Sequence, residues 1–205
     1  MFDKKNLFAG VDEAGRGPLA GPVYAAAVVL HPEKPIAGLK DSKKLSANTR
    51  DQLFDIICRD ALAWSCAFAT VDEIEQHNIL QASLLAMQRA VMKLEVALDG
   101  VLVDGNQAPN LPFPVETIIR GDALIPAISA ASIVAKVLRD REMCVLDKQF
   151  PQYCFAKHKG YGTALHIAML RQFGPSAVHR KGFIRNFVTP QVVIPSRAFC
   201  DEGSI

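Results

Sequence analysis

An uninterrupted apolar run, Val23 to Leu30 (VYAAAVVL), constrains the fold of this chain more than any other stretch of its sequence. A run without polar alternation indicates a strand that is buried on both faces, and such a strand needs a layer of structure on each side. Shorter runs of strand type lie at 8–11, 63–70, 101–103 and 115–119. Helical patterns cover 46–59, 125–148 and 164–173. A further apolar stripe over 80–98 follows a capping-box spacing at Thr70 and Glu73, which indicates the start of that helix. We therefore predict an α/β fold with a mixed β-sheet flanked by helices and a C-terminal helical segment.

Length and charge bound the organisation of the chain. Its 205 residues match the usual size of one domain, and half of them are apolar. Because 191–205 lacks periodicity, we expect one domain over 1–190 and a loose tail after it. The net charge of +2 does not indicate a nucleic-acid partner. Between Pro151 and Pro190, however, six Lys and Arg residues occur without Asp or Glu, which predicts a phosphate-facing surface or a solvated exterior.

The cysteines and the hydropathy pattern indicate in which cellular compartment the protein is expected. The five cysteines are widely spaced and form no C-x-x-C motif, which is typical of reduced thiols in a cytoplasmic protein. The N-terminal residues carry no secretory signal pattern, and the chain has no run of about 18 apolar residues that a membrane helix requires. We therefore expect a cytoplasmic protein that does not enter a membrane.

Acidic residues follow three of the predicted strands. Asp12 and Glu13 come directly after the first strand, Asp104 ends the fourth, and Asp122 lies shortly after the fifth. Ligands of open α/β sheets gather outside the carboxyl ends of the strands, so we expect these side chains to meet. Clustered carboxylates repel one another and raise their pKa values unless cations are present, and Mg²⁺ prefers such oxygen ligands. The pattern therefore predicts a divalent-metal site.

The acidic residues also have a simpler interpretation. A single Asp after a strand is a common turn former, which is sufficient for Asp104 or Asp122 taken alone. The Asp12–Glu13 pair is more informative, because it lies between an apolar run and Gly-Arg-Gly. Neighbouring side chains on a regular strand point to opposite faces. Both carboxylates can therefore reach one site only if the strand ends at this pair, and Gly15 nearby allows the turn.

The glycine-rich loop from Gly15 to Gly21 (GRGPLAG) matches no common phosphate-binding motif. It lacks the G-K-[ST] ending of a Walker A loop, and its third glycine comes one residue too late for G-x-G-x-x-G. A strand follows it instead of a helix, so the usual helix N-terminus for pyrophosphate is missing. Two interpretations stay open: a structural hairpin, or a loop whose backbone approaches a ligand closely.

Seven blocks of the chain resemble one family. The segment FAGVDEAGRGPLAGPV at 8–23 is similar to the signature of ribonuclease HII. Six further blocks resemble that family in the same order: DSKKL at 41–45, ILQASLLAM at 79–87, VDGN at 103–106, the aspartate of RGD at 120–122, AASIVAKVLRDR at 130–141 and HKGYGT at 158–163. The resemblance covers residues 8 to about 187 and implies an RNase H-like α/β domain with a C-terminal helical part.

The resemblance also implies roles for individual residues. Four acidic residues match the quartet that holds two Mg²⁺ or Mn²⁺ ions in the family: Asp12, Glu13, Asp104 and Asp122. Gly15, Arg16 and Gly17 match the loop whose backbone reads the ribose 2′-hydroxyl. Tyr161 matches the tyrosine that stacks on the deoxyribose after an RNA–DNA junction. From their charge, Lys43, Lys44 and the basic segment after residue 150 are expected to contact phosphates.

The activity implied by the resemblance is endonucleolytic cleavage of the RNA strand in RNA/DNA hybrids. It includes cutting 5′ of a ribonucleotide in duplex DNA, with 5′-phosphate and 3′-hydroxyl products, by a protein expected to be a monomer. Such an enzyme would serve ribonucleotide excision and primer removal.

Three alternatives to this activity stay open: ribonuclease HIII, a non-catalytic nucleic-acid-binding module and a nucleotide-binding protein. Ribonuclease HIII usually carries an extra N-terminal domain, whereas the first strand of this chain begins by residue 8. A binding module has no need of four carboxylates, which repel phosphates without metal. A nucleotide-binding protein is disfavoured by the missing Walker motif.

Overall fold

The computed structural model describes residues 7–39, 42 and 45–188. Lys43, Lys44 and the predicted tail, 191–205, lie outside these residues. The five strands are β1 Phe8–Ala14, β2 Val23–Val29, β3 Ala63–Ala69, β4 Gly100–Asp104 and β5 Val115–Ile118. The helices are α1 Ala47–Asp60, α2 Val71–Met92, α3 Gly121–Leu124, α4 Pro126–Gln149, α5 Phe155–His158, α6 Ala164–Phe173 and α7 Lys181–Ile184, with a 3-10 turn at Pro151–Tyr153.

The strands form one mixed sheet in the order β3-β2-β1-β4-β5. The first three strands in the chain pair antiparallel, whereas β4 runs parallel to β1 and β5 parallel to β4. Parallel strands cannot be joined by a tight hairpin. The chain between β1 and β4 includes α1 and α2, whereas an irregular loop over 105–114 connects β4 to β5. The predicted α/β class with a mixed sheet is confirmed, and β1 lies at its centre.

Helices cover both faces of the sheet, as the long apolar run of β2 requires. On one face, α2 packs over Val11, Val101 and Val103. On the other face, α1 and α4 pack over Ala26 and Val28. The small residues of α4 allow a close approach: a Cβ added at Gly10 of β1 would lie 2.2 Å from the backbone of Ala127. The backbone of α4 therefore lies directly against β1, where the first acidic residues stand.

The C-terminal segment packs against the glycine-rich loop. Ala20 of the loop forms an isolated bridge with His179, and it lies in a core cluster with Met143, Tyr153 and Phe155. The short helices α5, α6 and α7 follow the long α4 in this region. They confirm the expected C-terminal helical segment and place it behind the loop.

Two predicted boundaries are wrong. The apolar stripe of α2 predicts a helix to residue 98, but the helix ends at Met92; Leu94 and Leu98 still pack against the core from irregular chain. Within α2, Asn78 has a φ of 66° and its side chain accepts a hydrogen bond from the Leu80 N–H, so it caps a second helical stretch after a kink. Strand β1 also runs three residues beyond its predicted end, because its pairing with β2 continues to Ala14↔Tyr24.

Two observations concern the expected compartment. None of the helices within the described residues is long and apolar enough to cross a bilayer. Cys58, Cys66, Cys144 and Cys154 are free thiols.

Candidate metal centre and cleft

The sheet brings Asp12 and Asp104 together. Because β1 and β4 are parallel with Val11 opposite Val103, the next residue of each strand stands at the same level. Val11 and Val103 face α2, so alternation turns the two aspartates toward α4. Ser132 of α4 forms a hydrogen bond with the Asp12 carboxylate on that side. The two carboxylates therefore lie side by side at the carboxyl end of the central parallel pair.

Asp122 reaches the same place from beyond β5. Arg120 adopts the left-handed conformation (φ 61°) and turns the chain into α3. The Asp122 N–H then donates to Asp104 Oδ1 at 3.2 Å, and the Ser129 hydroxyl donates to the Asp122 carbonyl at 2.5 Å. Carboxylate oxygens of Asp12, Asp104 and Asp122 all lie within 4.8 Å of one another. The structure therefore assembles three of the four predicted ligands into one group, which we call the aspartate group.

The electrostatics of Asp12 fit a cation. This side chain is only 6% exposed, and burial raises its pKa well above the usual value, as do the charges of Glu13 and Asp104. Hydrogen bonds from the Glu13 N–H, at 2.7 Å, and from Ser132 oppose the shift only in part. A hard divalent cation at the aspartate group would offset both the burial and the repulsion. The donor set, which consists of carboxylate oxygens, fits Mg²⁺ or Mn²⁺.

Glu13 lies beside the aspartate group rather than within it. The strand does not end at the Asp12–Glu13 pair as expected: β1 continues to Ala14, and regular alternation turns Glu13 toward the α2 face. Its carboxylate accepts from Arg16 Nη1 at 3.3 Å, and it lines a small pocket together with Asp104 and Ser83. The charge of Glu13 is nevertheless close enough to raise the pKa of Asp12. Its assignment as a fourth metal ligand stays a prediction.

A cleft of about 510 Å³ adjoins the aspartate group. Its lining residues are Glu13, Ala14, Gly15, Arg16, Gly17, Ser42, Arg50, Ser132, Lys136 and Tyr161. Ser132 connects the cleft with Asp12, so a molecule bound in the cleft can contact the metal centre. The structure thus brings the predicted Gly-Arg-Gly loop and the predicted tyrosine to a single surface.

Tyr161 and Gly17 face each other across this cleft. Tyr161 is 41% exposed, and a Cβ added at Gly17 would lie 3.9 Å from its ring. The Lys136 Nζ lies 5.8 Å from the centre of the same ring. An aromatic face that is both exposed and flanked by a cation suits stacking on a sugar or a base.

The two glycines of the loop serve different purposes. Gly15 has a φ of +98°, and a Cβ there would lie 1.9 Å from Arg139 Nε, so the fold itself requires glycine. Gly17 has an ordinary φ, and its added Cβ would meet only Tyr161, in van der Waals contact. A side chain at position 17 is therefore compatible with the free protein and would project into the cleft.

The basic segment after residue 150 only partly forms a surface. Four of its six cationic residues are exposed: Lys157, Arg171, Lys181 and Arg185. Lys159 is half-buried, and its Nζ donates to the Ala156 carbonyl at 2.8 Å. Arg180 is fully buried, so the expectation that this residue contacts phosphates is wrong.

The sequence did not reveal the residues that form hydrogen bonds to the site residues and to the backbone around them. Ser132 lies in a run of small residues, which indicates close packing but not a hydrogen bond to Asp12. Arg139 is fully buried and donates to the carbonyls of Pro22 and Lys159 at 3.2 and 3.1 Å. No sequence pattern distinguishes a buried arginine that donates to backbone carbonyls from an exposed arginine that is hydrated.

Comparison with solved structures identifies the class of protein. The chain is similar to the crystal structure of ribonuclease H2 from Pyrococcus horikoshii OT3, with a TM-score of 0.73 and 27% identity, over 88% of this chain and 96% of that one. Together with the mixed sheet and the aspartate group, this similarity places the chain among the metal-dependent nucleases of the RNase H-like fold.

Comparison of sequences gives the family. The family model for ribonuclease HII matches residues 9–186. Ribonuclease HII of Cupriavidus necator is 61% identical over 85% of this chain and 74% of that protein, and ribonuclease HII of Bordetella avium is 61% identical over 85% and 87%. The chain therefore belongs to the ribonuclease HII family, the metal-dependent endoribonucleases that act on RNA/DNA hybrids. The family that the sequence blocks indicated, ribonuclease HII, is confirmed.

Replacing Asp12 by Asn should stabilise the metal-free protein. Folding raises the pKa of Asp12, so the stability of the protein decreases as the pH rises from the pKa of the unfolded-state carboxyl through that of the folded state. Above the folded-state pKa the charged carboxylate is destabilising in full, and an amide at this position removes that effect. We expect the melting temperature in chelator to rise by about 2–4 °C, as for a gain of ~1 kcal/mol, and the further rise on adding Mn²⁺ to disappear. Thermal unfolding with chelator and with Mn²⁺ measures both effects. Asp51→Asn, on the exposed surface of α1, is the control, and an undiminished Mn²⁺ response in Asp12→Asn would contradict the site.

Proposed function

We propose that this chain cuts the RNA strand of RNA/DNA hybrids and cuts 5′ of ribonucleotides at RNA–DNA junctions in duplex DNA. The proposal includes two Mg²⁺ or Mn²⁺ ions and products with 5′-phosphate and 3′-hydroxyl ends. One observation carries it: the aspartate group adjoins a cleft whose walls are the Gly-Arg-Gly loop and Tyr161. A centre for phosphate chemistry and a surface suited to sugars thus lie within reach of one substrate.

The metal-binding part of the mechanism belongs to the acidic residues. When bound, divalent ions activate water as a nucleophile and stabilise the oxygen that leaves. Asp12, Asp104 and Asp122 would hold them, with Glu13 contributing from the neighbouring face of β1. Ser132 orients the Asp12 carboxylate, and the Asp122 N–H orients that of Asp104. These hydrogen bonds orient both carboxylates at the aspartate group.

Recognition of the sugar belongs to the cleft. The 2′-hydroxyl is the group that distinguishes RNA from DNA at a given nucleotide. The backbone of Gly15, Arg16 and Gly17 lines the cleft and would read this hydroxyl, since no Cβ at position 17 blocks the approach. The exposed ring of Tyr161 would pack on the next sugar, where a deoxyribose leaves more room than a ribose. This arrangement supports a preference for RNA–DNA junctions.

The proposed biological setting follows from that preference. Duplex DNA containing single ribonucleotides and RNA primers joined to DNA both present such junctions, so we assign the chain to ribonucleotide excision and primer removal. We further propose that residues 1–190 act as one domain in a monomer. The free thiols of the described cysteines support a location in the cytoplasm. Lys43 and the exposed cations after residue 150 would contact backbone phosphates.

Replacing Asp104 by Asn should abolish cleavage while leaving duplex binding intact. The substitution removes one carboxylate ligand, and the loss should be on the order of 10²–10³-fold or more in rate. The test maps products on a duplex with one ribonucleotide, in Mg²⁺, in Mn²⁺ and in chelator. Wild-type protein should give 5′-phosphate ends 5′ of the ribonucleotide only with metal, and Asp51→Asn should match it. Near-normal turnover by Asp104→Asn would refute the assignment.

Replacing Gly17 by Ala should remove activity without unfolding the protein. The added methyl group has room in the free structure but occupies the position that the ribose must approach. We expect an unchanged melting temperature and a decrease in kcat/KM on the order of 10²-fold, as for a substrate held out of place. Gly182→Ala, on exposed α7, is the control because its added Cβ also meets no close neighbour. Full activity of Gly17→Ala would exclude close contact at this loop.

Replacing Tyr161 by Ala should weaken the preference for junctions more than it weakens cleavage within a long RNA stretch. The measured quantity is the ratio of kcat/KM on a single-ribonucleotide duplex to that on an all-RNA hybrid. Tyr161→Phe retains the ring and should keep the wild-type ratio, whereas Tyr161→Ala should lower it by about tenfold, the size of one lost stacking contact. An unchanged ratio in Tyr161→Ala would show that another residue senses the junction.

A further inference from the structure

Arg180 is a buried cation that contacts backbone carbonyls and, within the part of the chain that the structure describes, no carboxylate. Its side chain is fully inaccessible, and it forms no ion pair with any residue that the structure describes. Burial, together with the nearby charge of Arg139, lowers its pKa to about 9. A charge in such a place is normally stabilised by an opposite charge. The charge of Glu75 acts in this direction without forming an ion pair with Arg180. The direct contacts of the guanidinium therefore need a separate explanation.

All hydrogen bonds of this guanidinium go to one loop. Nη2 donates to the Gly15 carbonyl at 2.7 Å, Nη1 to the Arg16 carbonyl at 2.9 Å, and Nε to the Gly21 carbonyl at 2.9 Å. The three acceptors stand at both ends of the glycine-rich loop. Arg180 therefore fixes two consecutive peptide planes, 15–16 and 16–17, and the far end of the same loop.

The orientation of the two N–H groups follows from peptide geometry. In a trans peptide, the carbonyl of one residue and the N–H of the next point in opposite directions, and no peptide bond here is cis. Because the Gly15 and Arg16 carbonyls point back to Arg180, the N–H groups of Arg16 and Gly17 point away from it. Both residues line the cleft, and neither N–H has an acceptor among the described residues. Two backbone donors are thus presented to the cleft.

Other contacts of the segment do not depend on the guanidinium. The Arg180 N–H donates to the Leu19 carbonyl at 2.8 Å, and the Gly21 N–H donates to the Val178 carbonyl at 2.9 Å. These backbone contacts remain available when the side chain changes. Arg139 contacts the carbonyls of Ala20 and Pro22, outside the two peptide planes that Arg180 fixes. The Arg139 side chain packs against Gly15. Among the described residues, however, the hydrogen bonds to the Gly15 and Arg16 carbonyls come from Arg180, so we assign the orientation of the donors at Arg16 and Gly17 to it.

We propose that Arg180 is a positioning residue, which fixes the Gly15 and Arg16 carbonyls so that the N–H groups of Arg16 and Gly17 recognise the ribose 2′-hydroxyl. The proposal rests on the proposed function, since it concerns how the same cleft selects its sugar. It predicts that Arg180 governs discrimination between RNA and DNA rather than affinity for duplexes in general.

The test compares binding of two duplexes in chelator, where no cleavage occurs. One duplex is all DNA, and the other carries a single ribonucleotide. Discrimination is the ratio of their Kd values. Arg180→Lys keeps a positive charge but cannot reach three carbonyls, and Arg180→Gln removes the charge. We expect both variants to bind the all-DNA duplex as the wild type does and to lose about tenfold or more in discrimination. Arg59→Gln, an exposed arginine at the end of α1 for which no role in binding is proposed, should retain the wild-type ratio.

The possible results separate the two proposals. If the wild type does not discriminate between the duplexes, the proposed function fails at this cleft. If the wild type and both variants discriminate equally, only the role of Arg180 is overturned. Equal weakening on both duplexes together with a lower melting temperature would also overturn it, in favour of a structural role.

If the Arg180 variants do not fold, an NMR measurement on the wild-type protein still tests the proposal. The amide NMR signals of Arg16 and Gly17 should shift with the ribonucleotide duplex and not with the all-DNA duplex. Equal shifts with both duplexes would overturn the proposal.

Discussion

Repulsion among Asp12, Asp104 and Asp122 is the constraint on which the other features of the site depend. Three carboxylates within 4.8 Å of one another, one of them almost fully buried, are unfavourable without a cation. The sheet imposes the arrangement, because the parallel register of β1 and β4 fixes the first two at one level. Gly10 and the small residues of α4 then let that helix lie close enough for Ser132 to hold Asp12. The fold thus maintains an arrangement that becomes favourable when metal binds.

A second set of contacts holds the cleft beside that centre. Two buried arginines, Arg139 and Arg180, donate to backbone carbonyls of the glycine-rich loop. The Leu19 N–H in turn donates to the Gly160 carbonyl, next to Tyr161. The loop and the tyrosine are therefore held by one connected set of hydrogen bonds, which extends from α4 to the C-terminal segment. A substrate in the cleft meets a surface whose donors and ring are already in place.

Much of this could be predicted from the sequence, and the failures have physical reasons. The apolar run of β2 and the capping box of α2 depend on local pattern, so both were identifiable. Strand β1 extends beyond its apolar part because backbone pairing with β2, and not side-chain hydropathy, decides where it ends. The same pairing keeps regular alternation in β1, which turns the side chains of Asp12 and Glu13 to opposite faces of the sheet. Arg180 resembles any surface cation in the sequence, since its burial is decided by tertiary contacts that span more than a hundred residues.

The position of metal in a crystal of the wild-type protein soaked in Mn²⁺ tests the central claim most directly. Manganese gives an anomalous signal that locates the ion without reference to activity. We expect a peak in contact with the carboxylates of Asp12, Asp104 and Asp122, beside the Gly-Arg-Gly cleft. A fully occupied Mn²⁺ ion elsewhere, with none at these three side chains, would contradict it.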